Sequence, residues 1–197
     1  MKSRLVLLIS IVAVLVAGGL AGRHYWAMFV GGENNVADIG GPFTLVDHTG
    51  KTVTNADFHG NLSLVYFGYT YCPDVCPTAL SGIAESLETL ADGADQITPI
   101  FITIDPERDT PEAMADYVEV FHPRLVGLSG SVDQVTAAAR AYRVFFAKVQ
   151  EKDSDPEDYL MDHSAYTYLM DRQGKFLMHF PHGADPVQMA QDIAQYL

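Results

Sequence analysis

Residues 62–80 read LSLVYFGYTYCPDVCPTAL. The first seven residues, 62–68, form an almost continuous apolar run, which is typical of a strand buried on both faces of a parallel sheet. The apolar spacing then changes to that of an amphipathic helix, which is predicted for residues 77–90. Both cysteines of the chain, Cys72 and Cys76, are therefore predicted in the turn between a buried strand and a helix.

Strands and helices alternate along the chain on both sides of this strand–turn–helix unit. The pattern predicts hairpins at residues 42–54 and 166–180, strands at 97–104, 125–128 and 144–149, and helices at 111–121, 131–142 and 185–196. This alternation, with an antiparallel hairpin near the end, is typical of an α/β domain of three layers.

The length and charge of the chain exclude two classes of protein. At 197 residues one domain is expected, and residues 42–197 are long enough to bury a core. Three of the 12 Lys and Arg residues and none of the 25 Asp and Glu residues precede Glu33, so the rest of the chain carries a net charge near −16. Because such a body repels phosphate, no nucleic-acid partner is expected, and a basic partner or a cation is favoured. With 19% charged and 11% aromatic residues, the body is also not a disordered acidic segment.

The first thirty residues indicate the compartment. At about 1.5 Å per residue, the uncharged apolar run 5–22 spans about 27 Å as a helix, close to the hydrocarbon thickness of a membrane. A cleaved signal sequence is the alternative, but the aromatic patch that follows favours an uncleaved transmembrane anchor over residues 1–30. Residues 31–41 are glycine-rich and are predicted to be a tether. Lys2 and Arg4 keep the N-terminus cytoplasmic, and no Arg- and Ser-rich presequence is present, so the predicted location is a bacterial inner membrane, crossed once, with the domain in the periplasm.

The two cysteines have the spacing C-x3-C, and their position favours reactivity. In an oxidising compartment a structural disulfide is the first alternative. A disulfide that closes so short a loop constrains the unfolded chain very little, so stability is a weak reason for the pair. A thiolate at a helix N-terminus is stabilised by free N–H groups and by the helix dipole, which lowers its pKa. With Pro77 predicted at the first helical position, Cys72 and Cys76 lie together on the preceding turn.

The spacing leaves both a redox pair and a metal site open. Thioredoxin-type oxidoreductases have C-x-x-C, and the additional residue here, Asp74, widens the turn while the sulfurs still reach each other for a redox disulfide. Those enzymes also have a cis-proline before a late strand, whereas here His163 is predicted in a loop that enters the strand starting at residue 166, which is expected next to the strand that precedes the cysteines. Two thiolates and one imidazole suit Cu(I) or Zn(II). Because a structural zinc site needs a fourth protein ligand, a copper site open to exchange fits Cys72, Cys76 and His163 better.

Three motifs in a fixed order carry a family resemblance. They are YFGYTYCPDVCPTAL at residues 66–80, DPERDTP at 105–111 and DHSAYTYLMDRQGKF at 162–176, with Gly41-Pro42-Phe43 upstream. Residues 38–197 resemble the Sco (SenC/PrrC) family of copper-binding, thioredoxin-like proteins, which have a similar N-terminal anchor. The resemblance implies a thioredoxin-like α/β domain. It also implies that copper, as Cu(I) or Cu(II), is bound by Cys72, Cys76 and His163.

The same resemblance implies a role in the assembly of cytochrome c oxidase. Family members deliver copper to the dinuclear Cu(A) centre or reduce the cysteines that receive it. The main expectation is a copper metallochaperone whose partners are the oxidase subunit that carries Cu(A), an upstream copper donor and a thiol reductant. The alternative is a thiol:disulfide reductase in which Cys72 attacks and Cys76 resolves. A copper- or redox-responsive signalling protein would use the same residues.

Three side chains lie close in sequence to the candidate ligands and are not themselves counted among them. Met161 precedes His163 by two residues, but methionines mostly fill cores and loops, so it is expected to pack. Asp74 and Asp162 each stand next to a candidate ligand, where a carboxylate either tunes a pKa or approaches the metal.

The aromatic and charged residues nearby are expected to shape the site. Tyr69 or Tyr71 is expected to form a wall of the site, while Tyr66 packs in the core. The charged turn at residues 105–109 is expected to cap the helix that begins at Pro111 and to order the loop.

Overall fold

The computed structural model describes residues 18, 19, 22, 39–150, 155 and 158–197. The chain divides into two units, residues 1–38 and residues 39–197. The anchor predicted for residues 1–30 and the tether predicted for residues 31–41 lie almost entirely outside the described residues. Within the part of the chain that the structure describes, no helix has both the length and the apolar character that crossing a membrane requires.

The unit formed by residues 39–197 alternates strands with helices, as the sequence pattern predicts. Its described strands are β1 (Thr44–Asp47), β2 (Thr52–Thr54), β3 (Leu62–Gly68), β4 (Ile97–Thr103), β5 (Val126–Ser129), β6 (Phe146–Val149), β7 (Leu160–His163), β8 (Tyr166–Met170) and β9 (Phe176–Pro181). Its described α-helices are α1 (Val75–Leu90), α2 (Pro111–Glu119), α3 (Val132–Ala141) and α4 (Pro186–Ala194).

The central sheet places β3, the strand that precedes the two cysteines, in its interior. Seven strands pair in the order β2-β1-β5-β4-β3-β8-β9. Strand β3 is parallel to β4 and antiparallel to β8, with Tyr66 opposite Phe101 on one side and Thr167 on the other. Every residue of β3 is buried, as its continuous apolar run predicts.

Helices cover both faces of the sheet. On one face the Tyr66 hydroxyl lies 4.0 Å from the Cys76 Sγ atom in α1, and Phe101 packs on Tyr117 of α2 with ring centroids 5.5 Å apart. The next residue along β3, Phe67, points to the other face because side chains alternate along a strand. There it contacts Tyr142, the C-cap residue of α3, with ring centroids 5.2 Å apart. The three-layer α/β prediction is therefore confirmed.

Helix α1 begins earlier than the sequence predicts. Its first residue is Val75, with Asp74 at the N-cap position, so Cys76 lies in the first helical turn rather than on the preceding loop. Pro77 is then the third helical residue instead of the first. The first four N–H groups of a helix have no partner within it, so a proline at this position removes no hydrogen bond.

The location predicted for His163 is also corrected. It is the last residue of β7, which pairs antiparallel with β6 in a separate two-stranded sheet. The sequence pattern predicts a loop at this position, because β7 is only four residues long and an alternation that short carries little periodic signal. Along β7, Met161 is buried and Asp162 is exposed.

Candidate metal centre

Three side chains meet where β3 ends and α1 begins. Cys72 lies in the connecting turn, Cys76 in the first turn of α1 and His163 at the end of β7. The two Sγ atoms and one ring nitrogen of His163 all lie within 4.8 Å of one another. The Cys76 Sγ atom is 3.5 Å from Nε2 of His163. The structure thus brings together all three residues that the sequence nominates as metal ligands.

Backbone hydrogen bonds direct the Cys72 sulfur toward the helix. The N–H of Cys76 donates to the Sγ atom of Cys72 at 3.3 Å, and the N–H of Cys72 donates to the carbonyl oxygen of Tyr69. A sulfur that accepts from a free N–H at a helix N-terminus is stabilised as a thiolate. Cys72 is 9% exposed and Cys76 is fully buried, so Cys72 is the thiol that a partner reaches first.

A glycine at the end of β3 makes room for the inner sulfur. A Cβ atom added to Gly68 would lie 2.7 Å from the Cys76 Sγ atom and 2.9 Å from a ring carbon of Phe101. Both distances are well inside the roughly 3.5–4.0 Å at which nonbonded heavy atoms attract. No sequence signal marks this role of Gly68, because a glycine that ends a strand looks the same whether or not a sulfur lies against it.

One hydrogen bond selects the tautomer of His163. Its Nδ1 atom lies 3.1 Å from the carbonyl oxygen of Ser164. A carbonyl only accepts, so Nδ1–H donates, and in the neutral imidazole Nε2 keeps its lone pair toward Cys76. Tyr66 and Tyr69 contact the imidazole edge-on, each with ring centroids 6.1 Å away. These contacts hold the ring with its free nitrogen toward the thiols.

The pKa values of the two thiols are shifted in opposite directions. The pKa of Cys72 is lowered to about 3, chiefly by the hydrogen bond with the Cys76 side chain, which outweighs the opposing effect of burial. The pKa of Cys76 is raised above its ordinary range by the shared hydrogen bond with Cys72 and by burial. These shifts favour a reduced site in which Cys72 is the thiolate and accepts a hydrogen bond from the Cys76 thiol, which keeps its proton.

Alkylation of the reduced protein should show this asymmetry. Because the folded pKa of Cys72 lies far below its ordinary value, its thiolate persists as the pH falls, and we expect its rate of reaction with iodoacetamide to stay nearly constant between about pH 6 and 8.

Urea-unfolded protein, in which both thiols titrate normally, is the control, and its rate should rise about tenfold per pH unit over that range. Peptide mass spectrometry should find the label on Cys72 and not on buried Cys76. A folded protein whose rate rises as steeply as the unfolded one would contradict the assignment.

Three tyrosines near the end of β3 occupy different positions at the metal centre. Tyr69 is 2% exposed and forms a wall of the site, as predicted. Tyr66 packs against Phe101, as predicted, and in addition brings its hydroxyl close to Cys76. Tyr71 is 65% exposed and lies at the rim.

The flanking carboxylates stand apart from the ligand atoms. Asp74 and Asp162 are both exposed, and among the described residues the ligand group contains Cys72, Cys76 and His163 alone. The Asp74 carboxylate lies 3.4 Å from the hydroxyl of Thr78 and so faces along the helix.

The charged turn after β4 does not cap α2, contrary to the prediction. Thr110 is the N-cap residue and accepts from the N–H of Ala113. Asp109 is fully buried and accepts from the N–H of Thr70 at 3.0 Å, from the Thr70 hydroxyl at 2.5 Å and from the Thr103 hydroxyl at 2.6 Å. Burial raises its pKa, although these donors oppose the shift. Asp109 thus connects the turn between β3 and α1, residues 69–74 and hereafter the cysteine turn, to the end of β4.

Comparison with known proteins identifies the family. The family model described as SCO1/SenC matches residues 31–197. A SCO2-like protein of Rickettsia conorii is 45% identical over 159 residues, which cover 81% of this chain and 77% of that protein. The copper-bound structure of Bradyrhizobium japonicum ScoI has a TM-score of 0.74 at 47% identity and covers 81% of this chain and 99% of that one. Copper-bound Arabidopsis thaliana ScoI has a TM-score of 0.75 at 38% identity, with coverages of 80% and 97%. The thioredoxin-like α/β fold is thereby confirmed, and the chain belongs to the SCO1/SenC family.

Proposed function

We propose that this protein is a copper metallochaperone that binds one copper ion through Cys72, Cys76 and His163 and delivers it to the Cu(A) centre of cytochrome c oxidase. The observation that carries the proposal is the convergence of two sulfurs and an imidazole nitrogen within 4.8 Å of one another. Thiolates select Cu(I), and imidazole also suits Cu(II), so the same set accommodates both oxidation states.

The arrangement suits transfer of copper. Three ligand atoms are present in this cluster of described residues, one fewer than a structural zinc site has. A thiolate of the receiving protein therefore has a free coordination position to enter before a bond to the donor breaks. Because Cys76 is fully buried and Cys72 is not, we expect the incoming thiolate to approach from the Cys72 side.

The relatives support copper as the cargo. The Bradyrhizobium japonicum and Arabidopsis thaliana ScoI structures contain copper, and each aligns with about four fifths of this chain. The family resemblance of the three sequence motifs supports the role in assembling Cu(A). An upstream copper donor and a thiol reductant for the Cys72–Cys76 pair complete the set of partners.

We propose that the domain lies in the bacterial periplasm, anchored to the inner membrane by residues 1–30. The uncharged run behind Lys2 and Arg4 supports this orientation. The net charge near −16 of the remaining chain favours a receiving protein with a basic contact face. That association should weaken with added salt, which screens charges beyond about 8–10 Å at physiological strength.

A Cu(I) competition titration of the reduced full-length chain in detergent tests the proposal. Wild type should bind one equivalent tightly, and His163→Ala should bind at least about tenfold more weakly because one of three ligands is lost. His182→Ala removes an exposed imidazole outside the ligand cluster and should match wild type. The proposal is wrong if wild type holds no tight equivalent or if His163→Ala binds as well as wild type.

The acidic Cys72 thiol favours a thiol:disulfide reductase as the second candidate. In that reaction the Cys72 thiolate attacks a partner disulfide, forming a mixed disulfide and releasing one partner thiolate. Cys76, after losing its proton, attacks the Cys72 sulfur and releases the second partner thiolate, so the partner gains two electrons and a Cys72–Cys76 disulfide forms. Turnover on a model disulfide with a thiol reductant distinguishes the two: activity that survives His163→Ala supports the reductase.

A further inference from the structure

The turn after β4, residues 105–109, lies between the two halves of the ligand cluster. Cys72 lies in the turn that follows β3 and Cys76 in the first turn of α1, whereas His163 belongs to the β6–β7 sheet, which is separate from the main sheet. Asp109 binds Thr70 in the cysteine turn. On the other side, Asp105 binds Tyr159, the residue that leads into β7. One short turn therefore contacts both segments that supply ligands.

Asp105 and Arg108 hold Tyr159 by its hydroxyl, its ring and its carbonyl. The Asp105 side chain is 1% exposed, and its Oδ2 atom lies 2.5 Å from Nε of Arg108. Its Oδ1 atom accepts from the Tyr159 hydroxyl at 2.8 Å. The Arg108 guanidinium donates to the Tyr159 carbonyl oxygen at 3.1 Å and lies 3.6 Å from the centroid of its ring. These contacts fix the residue at the start of β7 in position and orientation.

Arg108 also reaches the cysteine turn. Its guanidinium carbon lies 4.6 Å from the ring centroid of Tyr71, which directly precedes Cys72, and 5.9 Å from that of Tyr69. Tyr69 in turn contacts the imidazole of His163. A planar guanidinium can stack on aromatic faces and donate hydrogen bonds in its plane at the same time. One side chain thus contacts both the neighbour of a thiol ligand and the segment that carries the imidazole ligand.

We propose that Asp105, Arg108 and Tyr159 form a brace that sets the distance between His163 and the two thiols. The inference rests on the proposed function, because it explains how the third copper ligand is held. A two-stranded hairpin alone is marginally stable in water, so the β6–β7 sheet needs contacts outside itself to hold His163 in place. The brace residues are positioning residues, since none of them belongs to the ligand cluster.

A double-mutant cycle on Cu(I) affinity separates positioning from a general structural role. Arg108→Lys keeps the charge but loses the planar fork, and we expect it to weaken Cu(I) binding about tenfold in the otherwise wild-type chain. In the His163→Ala background the same substitution should change affinity less than about twofold, because no imidazole remains to be positioned. Arg124→Lys is the matched control, since Arg124 binds Asp95 and the Ala94 carbonyl instead of the brace.

Hydrogen exchange of the copper-free protein tests the brace by a second route. Amides of β7 should exchange at least about tenfold faster in Arg108→Lys and in Tyr159→Phe, which removes the hydroxyl that donates to Asp105 and keeps the ring. Arg124→Lys should exchange as wild type does. If Arg108→Lys does not fold, Tyr159→Phe replaces it in the cycle.

The outcomes are distinguishable. An equal loss of Cu(I) affinity in both backgrounds, or unchanged exchange at β7, overturns the brace. If wild type holds no tight Cu(I) equivalent, the proposed function fails, and hydrogen exchange at β7 alone then confirms or overturns the brace.

Discussion

Cys76→Ser should weaken Cu(I) binding by about a thousandfold, or about 4 kcal/mol. The substitution replaces the inner thiol of the cluster, whose sulfur lies 3.5 Å from Nε2 of His163, with a hard hydroxyl that Cu(I) binds poorly. The remaining ligands, Cys72 and His163, would leave copper with a single thiolate. Competition against a Cu(I) chelator of known affinity, with the protein kept reduced, measures the loss.

Met161→Leu is the matched control for removal of a sulfur. Met161 is buried and precedes His163 by two residues on β7, and leucine has a similar volume. We expect its Cu(I) affinity to equal that of wild type within about twofold. If Cys76→Ser binds Cu(I) as tightly as this control, the buried thiol is not a copper ligand and the three-ligand site is wrong.

Asp109→Ala should lower the free energy of unfolding by about 3 kcal/mol. The carboxylate is fully buried and accepts three hydrogen bonds, two from Thr70 and one from Thr103. Alanine leaves these donors without their acceptor, and each buried donor that loses its partner costs about 1–3 kcal/mol. The gain from no longer burying the carboxylate, indicated by its raised pKa, offsets part of this loss. Urea unfolding with an unchanged m value measures the difference.

Asp185→Ala provides the comparison for this prediction. Asp185 caps α4 by accepting from the N–H of Gln188, and this bond is exposed. Its loss should cost about 1 kcal/mol, as is typical of an N-cap residue. Equal losses for the two variants would show that Asp109 does not anchor the cysteine turn.

Much of the fold was predictable because its signals are local. The continuous apolar run of β3, the helix predicted from residue 131 and the hairpin predicted for residues 166–180 each depend on signals within a short stretch of neighbouring residues. The structure confirms all three. The cysteine pair was predictable for the same reason, since both thiols and the helix N-terminus beside them lie within one short segment.

The wider site depends on residues that are distant in sequence. The interval between Cys76 and His163 is 87 residues, and contacts between distant elements, among them the pairing of β7 with β6 and the packing of Tyr69 on the imidazole, direct His163 to the thiols. Asp105 and Tyr159 are 54 residues apart, and their hydrogen bond exists only because the turn after β4 and the start of β7 meet beside the cysteine turn. Local spacing therefore determined the fold class and nominated the three ligands. The tertiary structure alone determines that the imidazole lies at the end of β7, that Gly68 has no room for a side chain and that buried Asp105 and Asp109 support the site. These properties arise from contacts between elements that are distant in sequence, and no local pattern specifies such contacts.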